Sequence, residues 1–360
     1  MHQQPLRVGF IGTGWAQRVQ IPMFQKGGLV VQAVASGNPL NAQRVGQDFG
    51  IPEVYATWQE LIASPAVDLV SITTPPYLHA EMAIAALQAG KHVLCEKPAA
   101  LNVGEVEAML AAAQAAPNQL ALVDHELRFH PQVVHLRRLL KEGYVGGILT
   151  AEIKILSNFR VNSELPWNWW SEAEKGGGAL AALGSHLLDL ARWLVGRIDA
   201  VTGQLQIGHL ERKEPTSGQF RTVTADDHAQ LLLRFANGAQ GSITASSFTP
   251  GGSGMELLFV GASGALRLDG EAKLWGMQGE DFRKGSWQPL STEYAPPDQV
   301  AALNSTAFPI GTYYFAQAIA KAFATDGKLP EAATFYDGLA VQRALDAAHK
   351  SFREGVWVRL

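Results

Sequence analysis

The sequence predicts a doubly wound α/β domain followed by an α+β domain built on a largely antiparallel open sheet. Three observations support this. In the first third, short runs that are apolar on nearly every residue alternate with amphipathic segments, as strands buried on both faces between helices do. After about Glu126 the alternation stops and strands dominate, with Asn237-Gly238 as a hairpin signal between two of them. A chain of 360 residues is also too long for one ordinary compact domain and suits two. The expected division is residues 1–126 and 127–360.

In order, the strand-like runs of the first domain are 7–11, 29–35, 67–73, 92–95 and 120–123. Helix-like stretches lie between and after them at 15–25, 41–49, 78–89 and 103–115, and Gly90 stands where a helix C-terminus favours glycine. The second domain starts with a helix at 133–142 and a strand at 148–156. An aromatic loop follows, Pro166-Trp167-Asn168-Trp169-Trp170, then a glycine run and a long helix at 179–195. Strands are expected at 200–207, 229–235, 239–247, 256–260, 265–268 and 273–275, and helices at 313–325 and 336–352 close the chain.

The composition excludes several classes. With 47% hydrophobic and 17% charged residues the chain has material for packed cores and is not a disordered polyelectrolyte. A formal net charge of −4 offers nucleic acid no electrostatic attraction. Cys95 is the single cysteine, so neither an internal disulfide nor a thiolate metal cluster is expected, and the histidines lack metal-ligand spacing. The first residues lack a signal-peptide pattern, and no run approaches the roughly 20 apolar residues of a membrane span. The expectation is a cytoplasmic protein with no metal, no nucleic-acid partner and no membrane partner.

The run from Val8 to Gln17 ends a buried strand and opens a helix. Gly12 permits the tight turn, Gly14 lets backbone approach a pyrophosphate, and the helix start at Trp15-Ala16 stabilises its charge. Gly12-Thr13-Gly14 therefore predicts a nicotinamide dinucleotide, although Gln17 stands where the third glycine of the fingerprint belongs. About 20 residues on, where NAD enzymes place a carboxylate on the ribose, the sequence reads Ala35-Ser36-Gly37-Asn38, with no acid before Asp48. Ser36 and Asn38 are placed to bond a 2′-phosphate with Arg44 in reach, which favours NADP over NAD. The alternative is that Gly37-Asn38 is only a turn.

The strand at 92–95 runs into Glu96-Lys97-Pro98, and strand carboxyl ends are where open α/β sheets carry ligands. A lysine beside a nicotinamide can move a hydroxyl proton; on its own it also reads as a solvated loop residue. Together with Gly9-Phe10-Ile11-Gly12-Thr13-Gly14-Trp15, Thr73-Thr74-Pro75-Pro76-Tyr77-Leu78-His79 and Glu96-Lys97-Pro98, the downstream motifs point to a family. These are Arg128-Phe129-His130-Pro131, Gly176-Gly177-Gly178, Gly184-Ser185-His186-Leu187-Leu188-Asp189 and the segment from Phe259 to Gly264. In order and spacing the chain resembles the glucose–fructose oxidoreductase/inositol dehydrogenase (Gfo/Idh/MocA) family over nearly its whole length. The resemblance implies a Rossmann domain, then a substrate domain whose open sheet often forms the oligomer interface, here a homodimer or homotetramer. It also implies reversible, metal-free hydride transfer at a sugar-like or cyclitol-like secondary alcohol. By the same resemblance Lys97 is the catalytic lysine, Lys97-Pro98 is cis, and Thr74, Pro75, Tyr77, His79 and Glu96 fall at the cofactor.

On the long helix, Leu180, Leu183, Leu187, Leu190 and Leu194 form a core stripe, while Ala182, His186, Asp189 and Trp193 share another face. His186 matches the family's active-site histidine. Four residues before it, where the family commonly carries an aspartate, stands Ala182. Three outcomes are open. Lys97 and His186 move the proton by themselves; or His125, in Asp124-His125-Glu126-Leu127-Arg128, substitutes; or ordinary alcohol oxidation is lost. Arg128 and Trp169 are candidates for shaping the substrate pocket, since indole stacks on sugar C–H faces, with core packing as the other reading of the tryptophans. Asp226-Asp227 reads as a strand-start turn. The expected function is an NAD(P)-dependent oxidoreductase of a polyhydroxylated small molecule. The rival is a cofactor-binding sensor without turnover, favoured by Ala182.

Overall fold

The computed structural model describes residues 5–292, 307–325 and 327–360. Its first sheet has six strands: β1 (Arg7–Ile11), β2 (Val30–Ala35), β3 (Glu53–Tyr55), β4 (Leu69–Ile72), β5 (His92–Cys95) and β6 (Ala121–Val123). All pair in parallel, in the order β3-β2-β1-β4-β5-β6. The order reverses on either side of β1, which opens a crevice at the carboxyl ends of β1 and β4. Every residue of β4 is buried, which explains its unbroken apolar run. The sequence signal missed β3 and the helix after it, Trp58–Ala63. Three half-exposed residues at a sheet edge are too short to show a period, and only the capping box of Thr57 and Glu60 marks that helix.

Apolar cores cover both faces of this sheet. One gathers Val8, Phe10, Phe24, Val34 and Leu94 with Phe315 and Ile319 of the helix Phe308–Ala324. The other gathers Leu61, Ile72, Met82, Val93 and Met109 with Phe335. Each fully buried Phe contributes roughly 2–3 kcal/mol. By contacts the chain divides into two compact units, and Phe308–Leu339 lies with the first, alongside the chain up to His130.

The second unit carries a nine-stranded sheet. Its one parallel pair joins Gln240–Ser246 to Ile148–Leu156, and the other pairings are antiparallel, so the sheet is mixed and mostly antiparallel. Ile153, Ile243, Leu231, Leu257 and Phe259 are buried on one face, which the helix Ser185–Leu194 helps to cover. Registers align Trp275, Arg267, Leu258, Glu152, Ser242, Leu232 and Thr202 in a row across the other face. Gly238 has φ +88°, the left-handed conformation that the hairpin signal implied. No helix among the described residues is long and apolar enough to cross a membrane.

Both helices singled out in the sequence begin with a π-turn. Ala16–Gln20 is π-helical and runs into Ile21–Lys26; Leu180–Gly184 is π-helical and runs into Ser185–Leu194. A π-turn inserts a residue into the helical register, so the helical faces drawn at 3.6 residues per turn hold only from Ser185 onward.

Candidate active site

In the first unit the loops that follow the strands are tied into one edge. Gly12 N donates to Ala35 O (2.8 Å), Thr73 N to Ile11 O (2.8 Å), Glu96 N to Ile72 O (2.9 Å) and Asp124 N to Cys95 O (2.8 Å). The glycine loop, Ser36, Thr73, Glu96 and Asp124 therefore sit on consecutive strand ends. Gly12 has φ +103°, and a Cβ there would stand 2.7 Å from Thr73 O, so that position is closed to other residues. Gly14 differs: an added Cβ meets nothing within 4 Å, which leaves its backbone open to solvent and to a ligand. Gln17 N donates to Thr13 O (3.3 Å), which places the N–H groups of Gly14 to Ala16 in the first helical turn, an anion-binding end. These features fit a dinucleotide pyrophosphate.

Past β2, Ser36 Oγ lies 3.4 Å from Thr13 Oγ1 and accepts from Asn38 N (3.3 Å). Asn38 Oδ1 accepts from Leu40 N (3.0 Å) and caps the helix Pro39–Phe49, so its side-chain oxygen has a local structural task. Arg44 Nη2 donates to Gln17 Oε1 (3.1 Å), so the residue that replaces the third glycine holds a guanidinium near the loop.

Thr74 and Pro75 are half-buried, and Tyr77 is exposed on the short turn Pro76–Leu78. His79 is fully buried, with Nδ1 at 2.9 Å from Pro98 O and Nε2 at 2.8 Å from Thr74 O. It ties the loop after β4 to the loop after β5, and burial lowers its pKa despite these bonds. The Lys97-Pro98 peptide is cis. Lys97 is half-buried, and its backbone N donates to Glu96 Oε2 (3.1 Å).

Sequence reasoning missed the group beneath this lysine. Gln20 Nε2 donates to Glu96 Oε1 (2.8 Å) and to Asp124 Oδ2 (2.5 Å), and Gln20 Oε1 accepts from Ser71 Oγ (2.8 Å). Burial pushes the Asp124 and Glu126 carboxyls well up and Glu96 up, while the nearby Lys97 charge opposes each shift. Burial and the same acids also raise the Cys95 thiol. One signal was available: Gln20 interrupts the apolar stripe of Ala16, Val19, Met23 and Phe24, and a polar residue in a buried helix face needs partners.

His125 and Arg128 are buried on the turn that follows β6. Arg128 pairs with Asp337 (3.3 Å) and donates to Glu331 O (3.4 Å), so it braces the returning segment.

In the second unit, His186 and Asp189 are both buried on the helix Ser185–Leu194, and Ala182 lies in the π-turn before it. Trp167 Nε1 donates to Thr222 O (3.3 Å) beneath the Arg221 guanidinium (3.6 Å), and Trp170 meets Phe159 edge-on. Those two rings are packed structurally. Trp169 is half-buried against Trp170, with centroids 6.3 Å apart. Arg212, wholly buried, donates to Arg160 O (2.8 Å) and Asn162 O (2.9 Å) and so holds the base of this loop.

Asp226 and Asp227 are structural in geometry. Asp227 pairs with Arg160 (3.6 Å), and Asp226 Oδ2 accepts from Leu180 N (2.8 Å) at the start of the histidine helix. Burial raises the Asp226 pKa from 3.8 to about 7. Between about pH 4 and pH 7 the folded chain then holds a proton the unfolded chain has lost, so this group's stabilisation is complete below about pH 4 and falls as pH rises through 7. The swing is a few kcal/mol. Asp226→Asn, which keeps the acceptor without the charge, should shrink the fall in melting temperature between pH 5 and pH 8 by several degrees; identical falls in the two proteins would refute this role.

A parallel sheet in this order, with an open glycine turn after its first strand, is the architecture of a dinucleotide-binding domain. The chain belongs to the Gfo/Idh/MocA family: the model for an oxidoreductase family with an NAD-binding Rossmann fold matches residues 6–125, and that for the GFO/IDH/MocA C-terminal domain matches 133–267. An uncharacterized oxidoreductase of Synechocystis is 37% identical over 73% of this chain and 71% of its own. Levoglucosan dehydrogenase of Pseudarthrobacter phenanthrenivorans is 33% identical over 68% of each chain. Among solved structures, levoglucosan dehydrogenase in complex with NADH and levoglucosan superposes with a TM-score of 0.88 at 28% identity, over 99% of both chains. The protein is an enzyme of this family, an oxidoreductase with an NAD-binding domain.

Proposed function

We propose that the enzyme transfers a hydride between NAD(P) and a secondary alcohol or ketone of a sugar-like or cyclitol-like molecule, with Lys97 and His186 as its proton-transfer groups. The observation that carries this is Lys97, half-buried directly after β5 on the strand edge that bears Gly12-Thr13-Gly14. The similarity to levoglucosan dehydrogenase supports a carbohydrate substrate. When bound, the nicotinamide ring supplies or accepts the hydride. Lys97 takes the hydroxyl proton on oxidation and returns it on reduction, and His186 holds the same oxygen. In this reading Gly12, Thr13, Gly14, Trp15 and Ala16 cradle the pyrophosphate, while Thr74, Pro75, Tyr77 and Glu96 line the nicotinamide side. His79 acts there through the two loops it ties. His125, Arg128 and Trp169 shape the substrate pocket. Ser36, Asn38 and the Gln17-held Arg44 favour NADP over NAD.

Absorbance of NADPH and NADH, followed across a panel of anhydrosugars, aldoses and cyclitols, tests all of this at once. Turnover of at least one sugar or cyclitol is expected, faster with NADP. Tight NADH binding with no turnover anywhere on the panel would overturn the proposal in favour of a sensor, the second reading, which Ala182 favours.

A homodimer or homotetramer through the open sheet face is part of the same proposal, and a reducing compartment, the cytoplasm, suits the buried Cys95 thiol. Leu232, 53% exposed, is a large apolar residue on that face. Leu232→Asp should lower the mass measured by light scattering; an unchanged mass would place the interface elsewhere.

A further inference from the structure

Three carboxyl groups of the first unit, those of Glu96, Asp124 and Glu126, are buried within one short stretch of strand ends, and the hydride-transfer step uses none of them. We propose that Asp124 and Glu96 form an acid–carboxylate pair sharing one proton, clamped by Gln20, and that this pair positions Lys97. The inference rests on Lys97 being the proton-transfer group, as proposed above.

The geometry fixes the pair. A single amide nitrogen, Gln20 Nε2, lies within hydrogen-bond distance of an oxygen on each carboxyl, which sets them side by side. Gln20 is itself oriented, because Ser71 Oγ donates to its Oε1, so the amide can only present its N–H groups to the acids. Two carboxylates held together away from water cannot both stay ionised. The partition between them follows from their partners. Glu96 accepts from Gln20 and from the backbone N–H of Lys97, and the Lys97 ammonium and the adjoining Asp124 carboxyl favour its charge. Asp124 is wholly buried next to that charge and has the stronger upward push, so it carries the proton and donates to Glu96. Burial and the neighbouring Asp124 and Glu96 charges push Glu126 up as well. Burial pushes Asp124, Glu126 and the Cys95 thiol towards their neutral forms, as it does His79 near the same lysine, which leaves Glu96 facing the Lys97 charge.

Glu96 is thus an anion only while its donors are present. Without the Asp124 or Gln20 donor it takes up a proton, and Lys97 loses its counter-charge. Asp124 and Gln20 are accordingly positioning residues that act on Lys97 through Glu96.

The test uses the full chain with NADH bound. Lys97 is labelled with an amine-reactive reagent across a pH series and quantified by mass spectrometry. Asp124→Leu and Gln20→Leu should move the midpoint of its labelling profile down by about one pH unit, a tenfold change, and Asp124→Asn, whose amide donates as the acid does, should restore it. A purely structural role would not give that rescue. Coincident profiles in wild type and Asp124→Leu, or no rescue by Asn, would overturn the proposal. If the leucine variants do not fold, infrared spectra of the wild-type protein decide. A protonated carboxyl signal at pH 7 that falls by one carboxyl's share in Asp124→Asn is expected, and an unchanged signal would refute the shared proton. Neither readout needs a substrate. Should Lys97→Met leave turnover intact while both results hold, the proton-transfer assignment falls and the carboxyl pair stands.

Discussion

Replacing Lys97 by Met should slow hydride transfer on the order of 10²–10⁴-fold, the range that one positioned acid–base group supplies. Methionine nearly matches the length of the lysine stem and lacks its proton. The backbone bond from residue 97 to Glu96 does not depend on the side chain, so the loop after β5 should keep its path. Binding of NADH, read by fluorescence, should change less than about threefold, because the glycine loop lies on a different strand end and removing a cation next to the ring costs only a modest surface interaction. The split between turnover and binding is the informative result. A variant that turns over like wild type would remove Lys97 from the chemistry, whereas one that loses turnover and NADH binding together would recast it as a cofactor ligand. His186→Ala, measured alongside, should lose less, since it leaves the main proton donor in place.

Much of the scaffold that carries this chemistry was legible in the chain itself. β1 and β5 are buried on both faces, and a strand with no solvent side leaves an unbroken apolar run that cannot be mistaken for a loop. The glycine loop was legible for a related reason: φ +103° at Gly12 admits little but glycine, so the backbone requirement is written in the residue type. β3 was not legible, because three residues, none of them buried, are too few to show a period. The π-turns at Ala16–Gln20 and Leu180–Gly184 were invisible to any count made at 3.6 residues per turn. Lys97 is a candidate from its strand end alone, where it also reads as a solvated loop residue; the resemblance is what singles out Lys97 and His186 together. The Gln20–Glu96–Asp124 group escaped because its members are 76 and 104 positions apart in sequence and meet only when β1, β4, β5 and β6 align. Asn38 has a task that its residue type alone did not reveal: its side-chain oxygen caps a helix, and its amide nitrogen is the part left for a phosphate.

The two glycines of the loop should fail in different ways. Gly12→Ala forces a side chain into φ +103° and a Cβ to 2.7 Å from Thr73 O, which is backbone and cannot swing aside. Left-handed strain alone costs about 1–2 kcal/mol, and the clash adds to it, so the apo protein should lose several kcal/mol of stability and bind NADH poorly. Gly14→Ala meets nothing within 4 Å and needs no left-handed backbone. Its apo stability should stay within about 0.5 kcal/mol of wild type, or rise slightly, because alanine restricts the unfolded chain more than glycine does. NADH affinity should nevertheless drop tenfold or more, since the methyl group occupies the space through which the pyrophosphate reaches the first-turn N–H groups. Denaturant melts of the apo proteins give the first quantity and fluorescence titrations the second. If Gly14→Ala bound NADH as tightly as wild type, the open surface over Gly14 would not be the pyrophosphate seat, and the cofactor would have to enter the crevice by another edge. Loss confined to binding in Gly14→Ala, against loss of both in Gly12→Ala, separates the glycine that shapes the turn from the one that leaves room for the ligand.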